Sequence, residues 1–315
     1  MVVARTGKGS SPSYVKLAAN GELLRRAQVA LEHLAACDLC ARYCRVDREV
    51  TLGGCRTGLR ARVASFGAHH GEEDPLRGWG GSGTIFFALC NLRCQYCQNY
   101  DVSQYPVGRE VEPPELAAIM LDLQAAGCHN INLVSPSHVV AQILQALVIA
   151  ADAGLRLPLV YNSGGYDSPE ALALLEGVID IYMPDMKYSD RLTARSLSKI
   201  GNYPAINQAA VHEMHRQVGD LVLDERGIAQ RGLLVRHLVL PESLAGTEAV
   251  VQFLADGISP NTYLNLMEQY RPAYRAGQHP PLDRPVSRAE YQAAVALAEA
   301  SGLRRLDSRR SLSWR

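Results

Sequence analysis

Short runs of apolar and β-branched residues alternate with helical patterns along most of this chain, from residue 84 onward. The strand candidates cover residues 84–89, 130–134, 157–161, 179–183, 233–238 and 262–266. Amphipathic helical patterns lie between most of them, at 113–126, 139–153, 169–176, 191–199, 204–218 and 247–255, and a last one covers 287–301. Such alternation predicts parallel βα units, arranged either as an open doubly wound sheet or as a barrel.

The region before residue 84 follows a different pattern. A helix is predicted over residues 22–36, where an apolar stripe is formed by Leu23, Leu24, Ala27, Val29, Ala30 and Leu34. A Cys-rich segment follows it, and the Gly-rich stretch 78–83 separates both from the alternating region. We therefore expect an N-terminal extension at residues 1–80 and a main domain at 81–315. Residues 1–16 show no periodicity and are expected to be disordered or loosely docked.

Charge and hydropathy exclude several classes of function. The chain has 32 Lys and Arg against 32 Asp and Glu, so its net charge favours neither a nucleic-acid nor a membrane partner. No stretch approaches the roughly 20 apolar residues that a membrane helix needs. The N-terminus lacks the apolar core of a secretory signal, and we expect a cytoplasmic protein.

The cysteines are grouped rather than spread. Seven of the eight form two groups: Cys37, Cys40, Cys44 and Cys55, and then Cys90, Cys94 and Cys97. A disulfide framework is not expected in a reducing compartment, and grouping at ligand spacing favours metal binding. Cys128 stands alone and is expected to be a core residue.

The second cysteine group directly follows the first predicted strand, in the run Cys90-Asn-Leu-Arg-Cys94-Gln-Tyr96-Cys97. Three thiolates at this spacing can hold three irons of a 4Fe–4S cluster and leave the fourth iron without a protein ligand. The alternative is a structural zinc site that lacks its fourth ligand.

This motif, with Tyr96 before its last cysteine and five further βα units after it, resembles the radical S-adenosylmethionine (SAM) superfamily. Within that superfamily the chain is similar to the proteins described as pyruvate formate-lyase activating enzyme-like, through segments such as 132–138, 161–167, 184–188 and 236–241. The resemblance implies an α/β fold, an incomplete (β/α)6 TIM-like barrel with a small Cys-rich N-terminal extension. It also implies an anaerobic, cytoplasmic oxidoreductase with a 4Fe–4S cluster on Cys90, Cys94 and Cys97. Such an enzyme takes one electron from an external reductant of the flavodoxin or ferredoxin type and cleaves SAM to methionine and a 5′-deoxyadenosyl radical.

The resemblance also suggests ligands for SAM at the ends of the strands. Where most of the superfamily has Gly-Gly-Glu after the second strand, this chain has Ser135-Pro136-Ser137, so Ser135 and Ser137 become candidates for the amine contact. Asn162 and Ser163 follow the third strand, although a Gly-rich turn would also explain them. Asp185 and Lys187 follow the fourth strand and match the Asp-x-Lys run of glycyl-radical activating enzymes; the alternative is a structural ion pair at the rim. Arg236 and His237 are neighbours on the fifth strand, so one of them must face inward.

Cys37, Cys40, Cys44 and Cys55 form a candidate second metal site. Two thiolates at Cys-x-x-Cys spacing with two more nearby suit either zinc or an iron–sulfur cluster. Zinc would stabilise a small extension that lacks its own core, and a cluster could relay electrons. Four buried free thiols are the remaining alternative.

Three functions stay open on the sequence alone. The first is activation of a glycyl-radical enzyme, which Asp185 and Lys187 favour. The second is radical modification of a small metabolite or peptide, which the altered Ser135-Pro136-Ser137 run and the long loop 271–285 would allow. The third is a non-catalytic metal-binding scaffold or electron carrier. The substrate, the reductant and the oligomeric state cannot be read from the sequence, and no catalytic residue is assigned.

Overall fold

A computed structural model describes residues 11–307 of the chain. Its strands are β1 Ala61–His69, β2 Ser82–Phe87, β3 Arg109–Val111, β4 Ile131–Val134, β5 Leu159–Ser163, β6 Ile181–Pro184, β7 Val222–Leu223, β8 Ala229–Leu238, β9 Tyr263–Met267 and β10 Arg305–Leu306. Its α-helices are α1 Tyr14–Ala19, α2 Glu22–Glu32, α3 Asp74–Arg77, α4 Tyr100–Ser103, α5 Pro113–Ala125, α6 Val140–Asp152, α7 Pro169–Leu175, α8 Arg191–Ser198, α9 Tyr203–Val218, α10 Thr247–Phe253 and α11 Arg288–Ala300. The six predicted strands and the predicted helices of the main domain are confirmed, with bounds that shift by a few residues.

The sheet has the strand order of a barrel rather than of a doubly wound sheet. Strands β2, β4, β5, β6, β8 and β9 lie side by side in chain order, and each pairs in parallel with the next. A doubly wound sheet would instead reverse direction at an inner strand. The βα units therefore follow one another around a single curved sheet.

Both edges of this parallel array carry strands that the sequence pattern did not predict. The short strand β10 adds in parallel to β9, while β1 pairs antiparallel with β2 and also with β3. The sheet is consequently mixed, and the expectation of six strands is too low. Strand β1 escaped prediction because its second half is largely exposed and mixes Ser65, Phe66, Gly67, Ala68 and His69 without an alternation of apolar and polar residues.

The inner strands are buried along almost their whole length. All five residues of β5 and all four of β6 are buried, as expected for parallel strands covered on both faces. Inside the curved sheet, Leu76 of α3 packs against Val160, Ile181 and Leu234 and fills the end at which the parallel strands begin. The space at the opposite end, where these strands finish, is left for polar side chains.

The N-terminal helices pack on the main domain. Leu23 and Ala30 of α2 are fully buried in the same apolar core as α6. Tyr14 is buried and donates a hydrogen bond from its Oη to the carbonyl oxygen of Leu157, at 3.0 Å. Loose docking is therefore wrong for residues 11–16, and residues 1–10 lie outside the described part of the chain. The division at residue 80 stays a prediction, and the pairing of β1 with β2 crosses it.

No helix within residues 11–307 has the length and apolar character that crossing a membrane would require.

Candidate functional site

A cavity of about 730 Å³ lies at the carboxyl ends of the parallel strands. Loops that follow these strands reach the same edge of the sheet, which is where barrel enzymes bind their ligands. Polar side chains from four of these loops and from the end of β5 form part of its wall: Cys90, Ser135, Asp185 and Gln269 from the loops, and Asn162 from β5.

The loop after β2 brings the three cysteines of the second group to this cavity. Cys90, Cys94 and Cys97 all contribute to its wall. The sulfur of Cys94 lies 3.0 Å from the hydroxyl of Ser198, and that of Cys97 lies 3.1 Å from the hydroxyl of Ser103. Each of these two sulfurs thus has a hydroxyl partner, which can donate a hydrogen bond to a thiolate.

Burial makes ionisation of these thiols costly. It raises the pKa of Cys90 and raises that of Cys94 to about 12, although the positive charge of Lys187 acts in the opposite direction on both. A soft metal centre would take the place of the protons, since metal binding needs the thiolate form. Three thiolates at one cavity beside a half-buried cation are therefore a donor set that fits an iron–sulfur cluster.

The Asp185–Lys187 pair stands beside the cysteines. Lys187 Nζ lies 2.5 Å from Asp185 Oδ2. Burial acts to lower the pKa of Lys187, but the charges of Asp185 and Cys94 outweigh it and raise that pKa well above its usual value. Tyr203 fixes the backbone of this segment, because its hydroxyl accepts from the Lys187 amide and donates toward the Gly164 and Asp185 carbonyl oxygens. The pair presents one fixed cation and one anion to the cavity.

The remaining candidate ligands fall into two sets. Ser135, in a left-handed conformation (φ 58°), and Asn162 both face the cavity. Ser163 also borders it, but its hydroxyl already donates to Asp167 Oδ2, at 2.7 Å, and accepts from the Gly165 amide. Ser137 does not border the cavity; it is buried near Asp167, and its hydroxyl has no hydrogen-bond partner among the described residues. The structure thus brings Ser135 and Asn162 to the cysteines and leaves Ser137 in the packing behind β4.

Sequence reasoning missed Glu72 and Glu73, the acidic members of an ion-pair cluster on the cavity wall. Arg236 Nε lies 2.7 Å from Glu73 Oε1, and Arg236 also forms an ion pair with Glu72. Asn265 donates from Nδ2 to the same Glu73 oxygen at 2.6 Å. The only signal for Glu72 and Glu73 was an acidic run before the Gly-rich stretch, which reads as a linker.

Strand alternation separates Arg236 from its neighbour. Arg236 faces the cavity, whereas His237 faces the helix layer and contacts Thr247, with His237 Nε2 2.9 Å from the threonine hydroxyl oxygen. Its other ring nitrogen, Nδ1, lies 2.6 Å from the Met186 carbonyl oxygen. Because side chains alternate between the two faces of a strand, one of these two neighbours must face inward, and it is Arg236.

The four cysteines of the first group lie in the segment between α2 and β1. Cys37, Cys40 and Cys55 are buried, and Cys44 is half-buried. Within residues 11–307, no three His, Cys, Asp or Glu side chains meet the geometry of a site for a metal ion, neither in this group nor at Cys90, Cys94 and Cys97. A second metal at these residues stays a prediction.

Comparison with known proteins identifies the family. The profile of the Radical SAM superfamily matches residues 84–220. The "Uncharacterized protein MJ0674" of Methanocaldococcus jannaschii is 32% identical over 288 residues, which cover 88% of this chain and 78% of that protein. The chain belongs to the radical SAM superfamily. A solved structure of TYW1 with a lysine-pyruvate adduct bound matches with a TM-score of 0.32 and 12% identity, over 50% of this chain and 56% of that chain.

Membership in the radical SAM superfamily implies an enzyme that cleaves SAM reductively. The matched region begins within β2 and includes the loop that carries Cys90, Cys94 and Cys97. It also includes Ser135, Asn162 and the Asp185–Lys187 pair. The superfamily thus covers the cavity wall that these side chains form, but not Arg236 or the first cysteine group.

Proposed function

We propose that Cys90, Cys94 and Cys97 hold a 4Fe–4S cluster with one iron open to SAM, and that the chain uses it to abstract a hydrogen atom from a substrate. The observation that carries the proposal is the meeting of the three thiols, Asp185 and Lys187 at one cavity. When bound, the cluster supplies the electron that breaks SAM into methionine and a 5′-deoxyadenosyl radical.

The chain's own residues would orient SAM and keep the site dry. SAM carries a carboxylate, an amine, a sulfonium and ribose hydroxyls, so it needs both anionic and cationic partners. Lys187 and Asp185 offer one of each, and Ser135 and Asn162 add neutral polar groups on the same wall. Tyr96 packs edge-on against Tyr188 and Tyr270, with ring centroids 6.2 and 5.9 Å away, and shields the cysteine loop from water.

For the substrate, we propose the backbone of a partner glycyl-radical enzyme, which this protein would activate. The Asp185-x-Lys187 run at the strand end supports this choice. Radical modification of a small metabolite or peptide is the second candidate. It is favoured by the buried Glu72–Glu73–Arg236 cluster on the cavity wall, since paired buried charges there suit a small polar ligand.

We also propose that Cys37, Cys40, Cys44 and Cys55 bind a second metal centre, either zinc or an iron–sulfur cluster. An external one-electron reductant of the flavodoxin or ferredoxin type would supply the electrons.

Anaerobic reconstitution with iron and sulfide tests the central proposal. We expect the reduced protein to show a spin-resonance signal that changes on addition of SAM, and to form 5′-deoxyadenosine. Cys94→Ala should abolish the product, because the cluster loses one of its three protein ligands. Cys128→Ala is the matched control, since Cys128 is equally buried but lies outside the cavity. An unchanged signal and no product from the unaltered protein would contradict the enzyme proposal.

A second assay separates the two substrate classes. The reduced protein with SAM is mixed with a glycyl-radical enzyme encoded beside it, and the mixture is examined for a glycyl-radical signal. A signal that requires both SAM and Cys94 supports activation. SAM cleavage that is stimulated by small polar metabolites, without a radical on the partner, supports the second candidate.

A further inference from the structure

The two cysteine groups, 35 residues apart between Cys55 and Cys90, are neighbours in space. The segment of the first group packs directly on the cysteine loop: Arg42 Nε donates to the Asn91 carbonyl oxygen at 2.5 Å, and Arg93 Nη2 donates to the Gly54 carbonyl oxygen at 2.9 Å. These contacts fix the two segments against each other.

The Asn91 side chain bridges the two groups. Its Oδ1 lies 3.7 Å from the sulfur of Cys90, and the Asn91 side chain also acts to lower the pKa of the Cys40 thiol against the larger effect of burial. Its Nδ2 donates to the Tyr166 carbonyl oxygen at 2.8 Å, and the residue is only 2% exposed, so it is held in place. One rigid side chain therefore separates a sulfur of the first group from a sulfur of the second.

Gly53 lies between two sulfurs of the first group. A Cβ atom added at Gly53 would lie 3.2 Å from the sulfur of Cys55 and 3.6 Å from that of Cys44. The sulfur of Cys44 lies 3.9 Å from the carbonyl oxygen of Cys37. Cys40 is close enough for the charges of Cys55 and Cys37 to act on it. Gly53 is thus the residue that leaves room between two of the sulfurs.

Four arginines of these two segments have no carboxylate partner among the described residues. Within residues 11–307, the guanidinium groups of Arg42, Arg48, Arg56 and Arg93 form no ion pair. Arg48, 2% exposed, donates to the carbonyl oxygens of Gly58 and His138 and lies 3.7 Å from the sulfur of Cys37. Buried nitrogens of the other three have no hydrogen-bond partner: Arg42 Nη2, Arg56 Nε and Arg93 Nε.

Three of these arginines form a layer between the two cysteine groups. Arg42 and Arg93 each donate to the segment of the other cysteine group, and Arg56 donates to the carbonyl oxygens of Gln104 and of Ser103, whose hydroxyl contacts Cys97. Buried cations need compensating negative charge, and buried donors need acceptors. Four thiolates supply the negative charge with either metal, and the inorganic sulfides of an iron–sulfur core add hydrogen-bond acceptors. A lone zinc ion adds no such acceptor.

We propose that Cys37, Cys40, Cys44 and Cys55 ligate a second iron–sulfur cluster, and that Arg42, Arg56 and Arg93 form one positive layer shared by the two clusters. This inference rests on the proposed function of the Cys90, Cys94 and Cys97 site, which it supplies with electrons. A ferredoxin- or flavodoxin-type donor passes one electron to the second cluster, which passes it to the first; no bond changes in this transfer. One electron enters for each SAM that is cleaved.

Metal analysis of a variant without the first site tests the ligand assignment. The full-length chain with Cys90, Cys94 and Cys97 all replaced by Ala is reconstituted anaerobically with iron, sulfide and zinc present together. We expect about four irons and four sulfides per chain and a spin-resonance signal that SAM does not change. Zinc without iron would overturn the proposal. The unaltered protein is measured in parallel and should hold about eight irons.

This design separates the inference from the proposed function. If the variant takes zinc while the unaltered protein still forms 5′-deoxyadenosine, the second cluster is refuted and the enzyme stands. If the variant holds iron while the unaltered protein cleaves no SAM, the second cluster stands and the proposed function is refuted.

Redox titration of Arg93→Gln tests the shared positive layer in a chain that keeps all seven cysteine ligands. Loss of one positive charge between the clusters should shift the reduction potentials of both toward more negative values. Arg25→Gln removes an exposed arginine of α2 and should leave both potentials unchanged. A shift in neither potential for Arg93→Gln, or in one only, would overturn the shared layer.

Discussion

Lys187 is the residue on which the charge balance of the cavity depends. Its ammonium group pairs with Asp185 and lies close enough to Cys90 and Cys94 to lower the pKa of both thiols against burial. In the proposed function the same group faces the carboxylate of SAM. Removing it should therefore weaken SAM binding before it affects the assembly of the cluster.

We expect Lys187→Met to raise the Kd for SAM by about tenfold to a hundredfold, since a hydrogen bond to a charged group contributes about 1.5–3 kcal/mol. The Kd is measured by titrating the reduced cluster with SAM and following its spin-resonance signal. Iron content should stay unchanged, because all three cysteines remain. Lys199→Met, on the exposed end of α8, is the control and should bind SAM normally. Equal Kd values for the two variants would contradict a role for Lys187 in binding.

Because His237 is buried, we expect the free energy of unfolding to depend on pH. Burial lowers the pKa of His237 to about 4, below the value of about 6.5 in an unfolded chain. The unfolded state then binds more protons between these two values, so the free energy of unfolding is highest above pH 6.5 and falls as the pH drops toward 4. At pH 5 the loss from this one residue is about 2 kcal/mol.

Urea unfolding of the metal-free chain at pH 7, 6 and 5 measures this effect. His237→Gln cannot titrate but keeps a donor and an acceptor for the Met186 carbonyl and the Thr247 hydroxyl. We expect the variant to lose about 2 kcal/mol less than the unaltered chain between pH 7 and pH 5. Parallel pH profiles would show that His237 does not carry the acid sensitivity.

At the scale of secondary-structure elements, the geometry of the site depends on how closely the loops after β5 and β6 approach each other. Gly165 follows β5 in a left-handed conformation (φ +69°), and a Cβ there would lie 2.1 Å from Asn207 Nδ2 and 2.4 Å from the Asp185 carbonyl oxygen. Asn207 of α9 donates to the carbonyl oxygens of both loops. Only glycine lets the three elements meet, and their meeting sets the position of Asp185 beside Asn162.

We expect Gly165→Ala to lower the free energy of unfolding by about 2–4 kcal/mol, because the methyl group adds a clash to the strain of a left-handed backbone. Gly154→Ala is a matched control at φ +97°, where a Cβ would meet nothing within 4 Å. It should cost only the backbone strain, about 1–2 kcal/mol. Urea unfolding measures both, and equal losses would mean that the loops yield to the added methyl group.

At the scale of the whole molecule, the N-terminal helices and the main domain share one apolar core. Leu23 of α2 is fully buried, and this helix packs against α6, which covers the parallel sheet. The first cysteine group follows α2 directly and is held against the cysteine loop by Arg42 and Arg93. A substitution that destabilises the N-terminal extension should therefore also disturb the geometry of the site.

We expect Leu23→Ala to lower the free energy of unfolding of the whole chain by about 2–5 kcal/mol in one transition, through loss of burial and the cavity that remains. Leu24→Ala is the control on the next residue, where the side chain is 50% exposed; it should change stability by less than about 0.5 kcal/mol. Urea unfolding followed by both circular dichroism and tyrosine fluorescence measures this. A separate early transition confined to the extension would contradict the shared core.

Local sequence patterns are sufficient to predict much of this molecule. The six parallel strands, the helices between them and the inward position of one of Arg236 and His237 follow from periodicity, which neighbouring residues determine. The cysteine loop after the first strand is also a local signal, since ligand spacing is a property of a few consecutive residues. Family membership in the radical SAM superfamily rests on that same region.

Tertiary structure alone decides which distant residues meet. Glu73 and Arg236 are 163 residues apart and pair only because α3 lies inside the curved sheet. Ser135 and Ser137 are equivalent as sequence candidates. The chain turns at Ser135, which has a left-handed backbone, so that Ser135 borders the cavity and Ser137 lies near Asp167. Sequence determines the strands, the helices and the ligand spacing because these are local, whereas the contacts between elements depend on strand order and packing, which no short segment encodes.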